Sequence, residues 1–273
     1  MTVKLYLKKA PRVPVNAENI VPHKFTGKSL NEIGELGLLE GNHKLALRSL
    51  FKLEESSEKT LAEMHIHLKG DLSKFRNIGT GMMDGEIFVQ GDVGMYVGEE
   101  MKGGRITIEG NAGSWAGSAM KGGQIEVLKN AGDYVGGAYR GSNKGMQGGI
   151  IIIHGDAGVE VGGHMRKGLI KVLGNVDQFL GIRMKKGTIL IRGNTGERPG
   201  AFMTGGKIIL CNHVSSILPT FMIDNIKSKV KAVGEEIPGP FYLFVGDHAE
   251  HGNGRLYVSK SKNKYLEKYE ALL

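Results

Sequence analysis

Two groups of residues in this chain have side chains that could bind a metal ion. His65 and His67 are two residues apart on an expected strand, so both imidazoles would lie on one face. The segment 247–251 reads Asp-His-Ala-Glu-His and falls in an expected hairpin loop. The first group has no third ligand at a recognisable spacing, and a polar surface turn explains the second. We therefore predict no metal site in this chain.

Catalytic patterns are equally sparse. The single cysteine, Cys211, cannot hold an iron–sulfur cluster, a zinc ribbon or an internal disulfide. The sequence contains no nucleophile elbow and no zinc-hydrolase helix motif. Glu99, Glu100, Glu109 and Glu126 do not recur at one position of any repeat, so they do not form a carboxylate cluster. We predict no catalytic and no cofactor-binding residue.

The elements that would position any such group come from a nineteen-residue repeat. The pattern of the unit begins with Gly-Asp or Gly-Asn, continues through an apolar-Gly pair and a Met, and ends with Ile-x-Val or Ile-x-Ile. The units start at Gly91, Gly110, Lys129, Gly155, Gly174, Gly193 and Asn212, and a looser copy starts at Gly70. Five of the six spacings equal this period, and the one from Lys129 to Gly155 is longer by seven. A fixed period of this length is typical of stacked coils.

The columns of the repeat predict strands and their core. Ile106 and Ile108 exemplify two aliphatic columns that are two residues apart, and that spacing places both side chains on one face of a strand. Six of the twelve methionines share another column, which predicts an inward ladder. Two columns are glycine throughout and suit corners, and an Asp/Asn column suits stacked turns. We predict an all-β fold: a right-handed parallel β-helix, a single-stranded solenoid of about seven nineteen-residue coils.

The ends lack the repeat and are expected to cap the solenoid. We divide the chain into an N-terminal extension and cap (1–60), the repeats (61–211) and a C-terminal cap with a β-hairpin and a helical tail (212–273). A capping box predicts a helix that begins after Ser29. Another short helix is predicted between Ile217 and Val230. In the tail, apolar residues from Tyr265 to Leu272 share one helical face, which could dock on this chain or on a partner.

Two irregular features are candidates for a partner interface. The longest unit carries an insertion, Tyr139 to Gly145, and insertions in solenoids form loops on one face. A basic column runs across successive units. The candidate interface residues are Tyr139, Arg140 and Lys144 in the insertion and Lys102, Lys121, Arg166 and Lys185 in the column. The alternatives are a tolerated surface loop and a solvated ridge that keeps the protein soluble.

The net charge of +8 would attract an acidic partner. Nucleic acid is not expected, because aromatic residues do not interleave with the basic ones. The sequence has no secretory segment and no apolar run of about 18 residues, so we expect a cytoplasmic protein without membrane contact.

The glycine-rich units resemble the β-helix at the C-terminal end of the glutamate synthase large subunit. A closer resemblance covers essentially the whole chain: the opening through Arg48, the repeats and the closing Phe244–Asp247 segment are similar to the family of C subunits of formylmethanofuran dehydrogenase. Asp177, Lys167 and Lys186 depart from glycines of the pattern, which puts only local turn geometry in question.

The resemblance implies a function. The complex of that family, in methanogenic archaea, reduces CO2 with ferredoxin-level electrons and forms N-formylmethanofuran, the first step of methanogenesis from CO2. Its other subunits carry the tungsten or molybdenum pterin, the iron–sulfur clusters and a zinc-type amidohydrolase centre, whereas the C subunit holds none of them. The resemblance therefore implies a non-catalytic scaffold subunit whose partners are those other subunits.

Three alternatives stay open from the sequence. One is the corresponding subunit of a bacterial formyltransferase/hydrolase complex in C1 metabolism. Another is a stand-alone β-helix protein that acts on or binds carbohydrate, which an aromatic-lined groove would favour; Trp115 is the only tryptophan. The third is a glutamate synthase component.

Overall fold

The computed structural model of the protein describes residues 1–56, 63–232 and 234–273. Strands dominate it: β1 Thr2–Leu7, β2 Val15–Asn16, β3 Gly37–Glu40, β4 His43–Ala46, β5 Phe51–Ser56, β6 His65–Lys69, β7 Phe75–Arg76, β8 Glu86–Gln90, β9 Arg105–Ile108, β10 Gln124–Val127, β11 Ile150–Ile153, β12 Leu169–Val172, β13 Thr188–Ile191, β14 Lys207–Leu210, β15 Met222–Ala232, β16 Glu235–Gly246 and β17 Gly254–Ser259. The helices are short: α1 Pro22–Phe25, α2 Leu30–Gly34, α3 Leu47–Leu50, and the 3₁₀ segments His248–Glu250 and Lys264–Leu272.

Thirteen strands form one sheet in the order β15-β16-β17-β14-β13-β12-β11-β10-β9-β8-β6-β1-β5. From β6 to β14 each strand runs parallel to the next and pairs column with column, as in Ile106 with Ile125. A second row of parallel bridges, from Leu72–Val93 to Thr195–Val214, joins the same repeats at another position. The predicted predominance of strand is confirmed, and so is the pairing of successive repeats in register.

The inward side of the sheet forms the core. In β9 to β12 buried residues alternate with half-buried or exposed ones, and the buried ones are the two aliphatic columns of the repeat. The methionine column is buried as predicted, and Met82, one repeat earlier, extends it. Its members are fully buried: Met82, Met101, Met120, Met146, Met165, Met184 and Met203.

The methionines interlock with a column of corner glycines. Gly123 has a φ of +79°, and a Cβ placed there would lie 2.7 Å from Met101 Cε and 2.8 Å from the Gly104 carbonyl oxygen. Met120 Cε lies equally close to the position of a Cβ on Gly149. The glycine therefore satisfies two needs at once: a left-handed backbone and room for the methionine of the preceding repeat.

The Asp/Asn column forms a hydrogen-bonded ladder along the stack, as predicted. The Asn111 backbone N–H donates to Asp92 Oδ1 at 2.7 Å, and the Asn130 N–H donates to Asn111 Oδ1 at 3.2 Å. The Asp156 backbone N–H donates to Asn130 Oδ1 at 2.8 Å, so the ladder continues across the long repeat. Each side chain thus satisfies a backbone donor that the corner leaves without a strand partner.

The N-terminal segment continues the large sheet. β1 runs parallel to β6 and antiparallel to β5, and a second sheet in the order β4-β3-β2-β7 packs nearby. The predicted capping box begins α2: the Ser29 N–H donates to the Glu32 carboxylate at 2.7 Å, and Ser29 Oγ accepts from the Glu32 N–H. The predicted boundary between residues 60 and 61 lies outside the described residues.

The helix predicted between Ile217 and Val230 is wrong. Met222 to Ala232 form β15, which pairs antiparallel with β16, while β16 pairs with β17 and β17 runs parallel to β14. The β15–β16 hairpin folds over the outer face of the last repeats, where Val230 and Phe241 pack with Leu190. This tertiary pairing overrides the local pattern because it buries apolar residues that an isolated helix would leave exposed.

Ion pairs fasten the end of this hairpin. Glu235 pairs with Lys171 of β12, at 2.8 Å, and with Arg192 beside β13. The hydrogen bond from Lys171, together with the charge of Arg192, lowers the pKa of the Glu235 carboxyl. The hairpin is thus tied to the repeats through its charged tip as well as through its apolar face.

The predicted helical tail is a 3₁₀ segment that docks on this chain. Leu266 is buried, and the Tyr265 hydroxyl donates to the Val214 carbonyl at 2.7 Å. Leu272, predicted on the same face, is 71% exposed. No helix in the described ranges is long and apolar enough to cross a membrane.

Candidate partner-binding surface

The insertion loops out between two paired strands. β10 and β11 stay in register, Gln124 opposite Ile150, although the insertion lengthens the repeat that separates them. The base of the loop closes where the Met146 N–H donates to the Gly136 carbonyl at 2.8 Å. Tyr139 is 55% exposed at the loop, and Lys144 is also exposed. The extra residues therefore add surface without disturbing the stack.

A ladder of aromatic rings lies beside the loop. Trp115 stacks between Tyr96, at a centroid distance of 5.2 Å, and Tyr134, at 4.4 Å, with interplanar angles of 18° and 17°. Tyr139 of the insertion tilts against Tyr96 at 6.1 Å. The three stacked residues have φ values of 61–63° and stand one repeat apart from each other. This column was not predicted from the sequence, although its nineteen-residue spacing was the available signal.

The loop and the ladder enclose an open cleft of about 330 Å³. Its lining includes Tyr134, Tyr139, Arg140, Glu160 and His164. Trp115 also lines the cleft and is only 8% exposed, and its indole N–H has no hydrogen-bond acceptor among the described residues. A buried donor without an acceptor carries a desolvation cost.

His164 and Glu160 supply the polar wall. Burial lowers the pKa of His164, and the nearby cations Arg183, Lys185 and Arg166 lower it further, so its imidazole is neutral at pH 7. The Glu160 carboxyl forms no hydrogen bond or ion pair with any residue of the described ranges. The cleft thus combines aromatic faces, one unpaired acid and a neutral imidazole.

The predicted basic column meets the insertion at one point. Arg166 Nη2 donates to the Asn143 carbonyl at 3.2 Å and lies 3.3 Å from Asn143 Oδ1. Lys121 pairs with Glu100 at 2.7 Å. Lys102 and Lys185 are exposed and form no ion pair within the part of the chain that the structure describes. The loop and the column therefore form one surface, which is joined through Arg166. Salt would screen the exposed charges of this surface and weaken their attraction for a partner.

Two of the residues considered for metal binding, His65 and Asp247, have partners within this chain. His65 Nδ1 lies 3.1 Å from Glu86, and Asp247 accepts backbone bonds from Phe202 at 3.0 Å and Ala249 at 3.1 Å. Burial raises the pKa of the Cys211 thiol, which stays protonated at neutral pH. Within residues 1–56, 63–232 and 234–273, no three His, Cys, Asp or Glu residues are grouped to hold a metal ion. These donors do not fit a pterin metal, an iron–sulfur cluster or a zinc centre.

Comparison with known proteins identifies the family. No family model matches the chain. It is 57% identical over 261 residues to the C subunit of the tungsten-containing formylmethanofuran dehydrogenase 2 of Methanothermobacter thermautotrophicus, with 95% of this chain and 97% of the relative covered. The same subunit of Methanothermobacter marburgensis is 55% identical over the same coverage.

A solved structure agrees with these relatives. A chain of the formyltransferase/hydrolase complex of Methylorubrum extorquens, crystallised with methylofuran, has a TM-score of 0.83 and 29% identity, over 94% of this chain and 99% of that one. The high identity of the methanogen relatives extends over nearly the full length of both sequences. This protein belongs to the family of C subunits of formylmethanofuran dehydrogenase.

Proposed function

We propose that this chain is the non-catalytic scaffold subunit of a formylmethanofuran dehydrogenase complex, which reduces CO2 and forms N-formylmethanofuran. The observation that carries the proposal is the 57% identity to a methanogen C subunit over 95% of the chain. The columns of the repeat support a structural role, because aliphatic, methionine, glycine and Asp/Asn positions are all used in packing and corners.

The architecture that we propose is a right-handed parallel β-helix with an N-terminal cap over 1–60, repeats over 61–211 and a C-terminal cap over 212–273. Parallel strands one repeat apart and the second row of bridges support it. So does the inward ladder of seven buried methionines. A likeness of the repeat to the glycine-rich domain of glutamate synthase belongs to the same proposal. Rungs that pair on two sides resist bending, which suits a scaffold.

The partners that we propose are the pterin-bearing, the amidohydrolase-like and the iron–sulfur subunits, which would carry the tungsten or molybdenum pterin, the zinc-type centre and the clusters. The absence of a fitting donor set among the described residues is the reason to assign these groups to other chains. The chain's role is then to hold those subunits in register, and the isolated chain is expected to show no turnover of formate or formylmethanofuran.

We further propose that the insertion and the basic column contact another subunit. The exposed Tyr139 and the unpaired Lys102 and Lys185 support this, since burial of an aromatic anchor beside screened cations is typical of interfaces. We expect amide hydrogen exchange in residues 139–145 to slow at least about tenfold in the assembled complex, as solvent access is lost. The edge strand β15, which is already paired on one side, serves as the internal reference. Unchanged exchange in the loop would remove this contact from the proposal.

Two alternatives have a specific observation behind them. The TM-score of 0.83 favours a subunit of a bacterial formyltransferase/hydrolase complex, but the identity to that chain is 29%, against 57% to the methanogen protein. The ladder at Tyr96, Trp115 and Tyr134 favours carbohydrate binding. Its rings cover one another's faces, however, and leave few faces open for a sugar. We therefore favour the scaffold proposal over both alternatives.

A further inference from the structure

Tyr134 is the last ring of the stacked ladder, and it lines the cleft. Tyr134 stacks on Trp115 through one face. Its backbone N–H donates to the Val159 carbonyl at 2.8 Å, so the residue beside it on the next repeat is Glu160. Glu160 also takes the left-handed backbone conformation of this column, with a φ of 54°. The second face of Tyr134 is therefore directed towards the repeat that carries an acid and no aromatic ring.

In the following repeats, arginine side chains lie over aromatic rings of the same surface. The Arg198 guanidinium lies 5.5 Å from the centroid of Phe179, one repeat apart in the ladder column. In the neighbouring column the Arg183 guanidinium lies 5.1 Å from the centroid of Phe202. A planar cation on a ring face is attracted by the ring quadrupole and stacks well. At Tyr134 the described part of the chain supplies no such cation.

The polar groups of the cleft can bind a guanidinium, the group that the described part of the chain does not supply at Tyr134. Glu160 has an unpaired carboxylate and lines the cleft together with Tyr134. A guanidinium can engage a carboxylate by two parallel hydrogen bonds. His164 is neutral, so it does not repel a cation, and Arg140 is an exposed residue of the insertion that can stay in water.

We propose that the cleft beside Tyr134 and Glu160 receives an arginine side chain of a partner subunit. The guanidinium lies between the Tyr134 face and the Glu160 carboxylate. The role in contact between subunits rests on the proposed function, whereas the arginine-binding chemistry belongs to the cleft itself. The insertion forms the outer wall that shields this ion pair from solvent.

The chemistry can be tested on the isolated full chain because Trp115 is its only tryptophan. Tryptophan fluorescence is followed during titration with Nα-acetyl-arginine amide, Nα-acetyl-lysine amide or N-acetylglutamate. We expect a saturable change with the arginine compound and weaker binding of the other two. In Glu160→Gln the dissociation constant for the arginine compound should rise about tenfold. Glu197→Gln, which removes the same charge from an exposed position outside the cleft, should match the wild type.

The contact role is tested by assembly with the partner subunits. Glu160→Gln should weaken association about tenfold with an unchanged unfolding midpoint, and Glu197→Gln should associate like the wild type. A saturable arginine signal that Glu160→Gln leaves intact, no saturable signal, or equal binding of the lysine or glutamate compound would overturn the proposed chemistry. Normal association of Glu160→Gln would overturn the contact while the scaffold proposal stands. Failure of the wild-type chain to associate would instead overturn the scaffold role.

Discussion

Replacement of Gly123 by alanine is expected to lower the free energy of unfolding by about 2–5 kcal/mol. Two effects add. The φ of +79° is strained for any residue with a Cβ, which costs about 1–2 kcal/mol. The new Cβ would also lie 2.8 Å from the Gly104 carbonyl oxygen and 2.7 Å from Met101 Cε, and such overpacking costs about 1–3 kcal/mol.

Gly141→Ala is the matched control for this variant. Gly141 has a similar φ of +84°, but a Cβ there meets nothing within 4 Å, because it lies in the insertion. It should therefore show the backbone cost alone, about 1–2 kcal/mol. Chemical denaturation measures the free energy of unfolding of both variants. The difference between their losses is the cost of packing a Cβ against Met101 and Gly104. Equal losses in the two variants would contradict the close interlock of glycine and methionine.

Met120→Ala is expected to cost about 2–5 kcal/mol, the range for truncating a buried methionine to alanine. Met120 is fully buried, and its Cε fills the space that Gly149 leaves in the next repeat. The neighbouring strands are held in register and cannot collapse into the gap, so most of the cavity would persist. The change in the free energy of unfolding, again by denaturation, is the measurement.

Two further substitutions test whether the loss of stability comes from the buried volume of Met120. Met120→Leu nearly conserves the volume and should cost less than about 1.5 kcal/mol. Met222→Ala removes a methionine that is 65% exposed, and its effect should stay within about 0.5 kcal/mol. If Met120→Ala were as mild as Met222→Ala, the methionine ladder would not be a part of the core.

The repeat made the interior predictable from the sequence. A column that recurs once in every repeat occupies one environment throughout the stack, so the inward aliphatic and methionine positions and the corner glycines could be assigned before the structure was known. The hydrogen bonds of the Asp/Asn column, such as Asn111 to Asp92, follow from the same stacking. Lys167 stands in a glycine column, and its backbone N–H still donates to the Met146 carbonyl at 3.3 Å, so the departure leaves this turn bond in place.

The features that were missed depend on contacts outside the repeat or on a repeat column of mixed residue types. Met222 to Ala232 form a strand because the hairpin finds an apolar surface at Leu190 and Ile209, which no local pattern reveals. The aromatic ladder escaped attention because its column also holds Glu160 and Arg198, so it does not keep one residue type. The cleft required the loop and the ladder to meet, and only the fold brings Tyr139 beside Tyr96.

We propose that this chain assembles catalytic subunits without performing chemistry itself. Reconstitution of the partner subunits with and without the chain tests this role, with the mass of the assembly and the turnover of formylmethanofuran as the two measurements. Omission of the chain is expected to separate the pterin-bearing from the amidohydrolase-like subunit and to abolish the coupled reaction, and the isolated chain is expected to be inactive. An intact, active assembly formed without the chain, or turnover by the chain alone, would contradict the proposal.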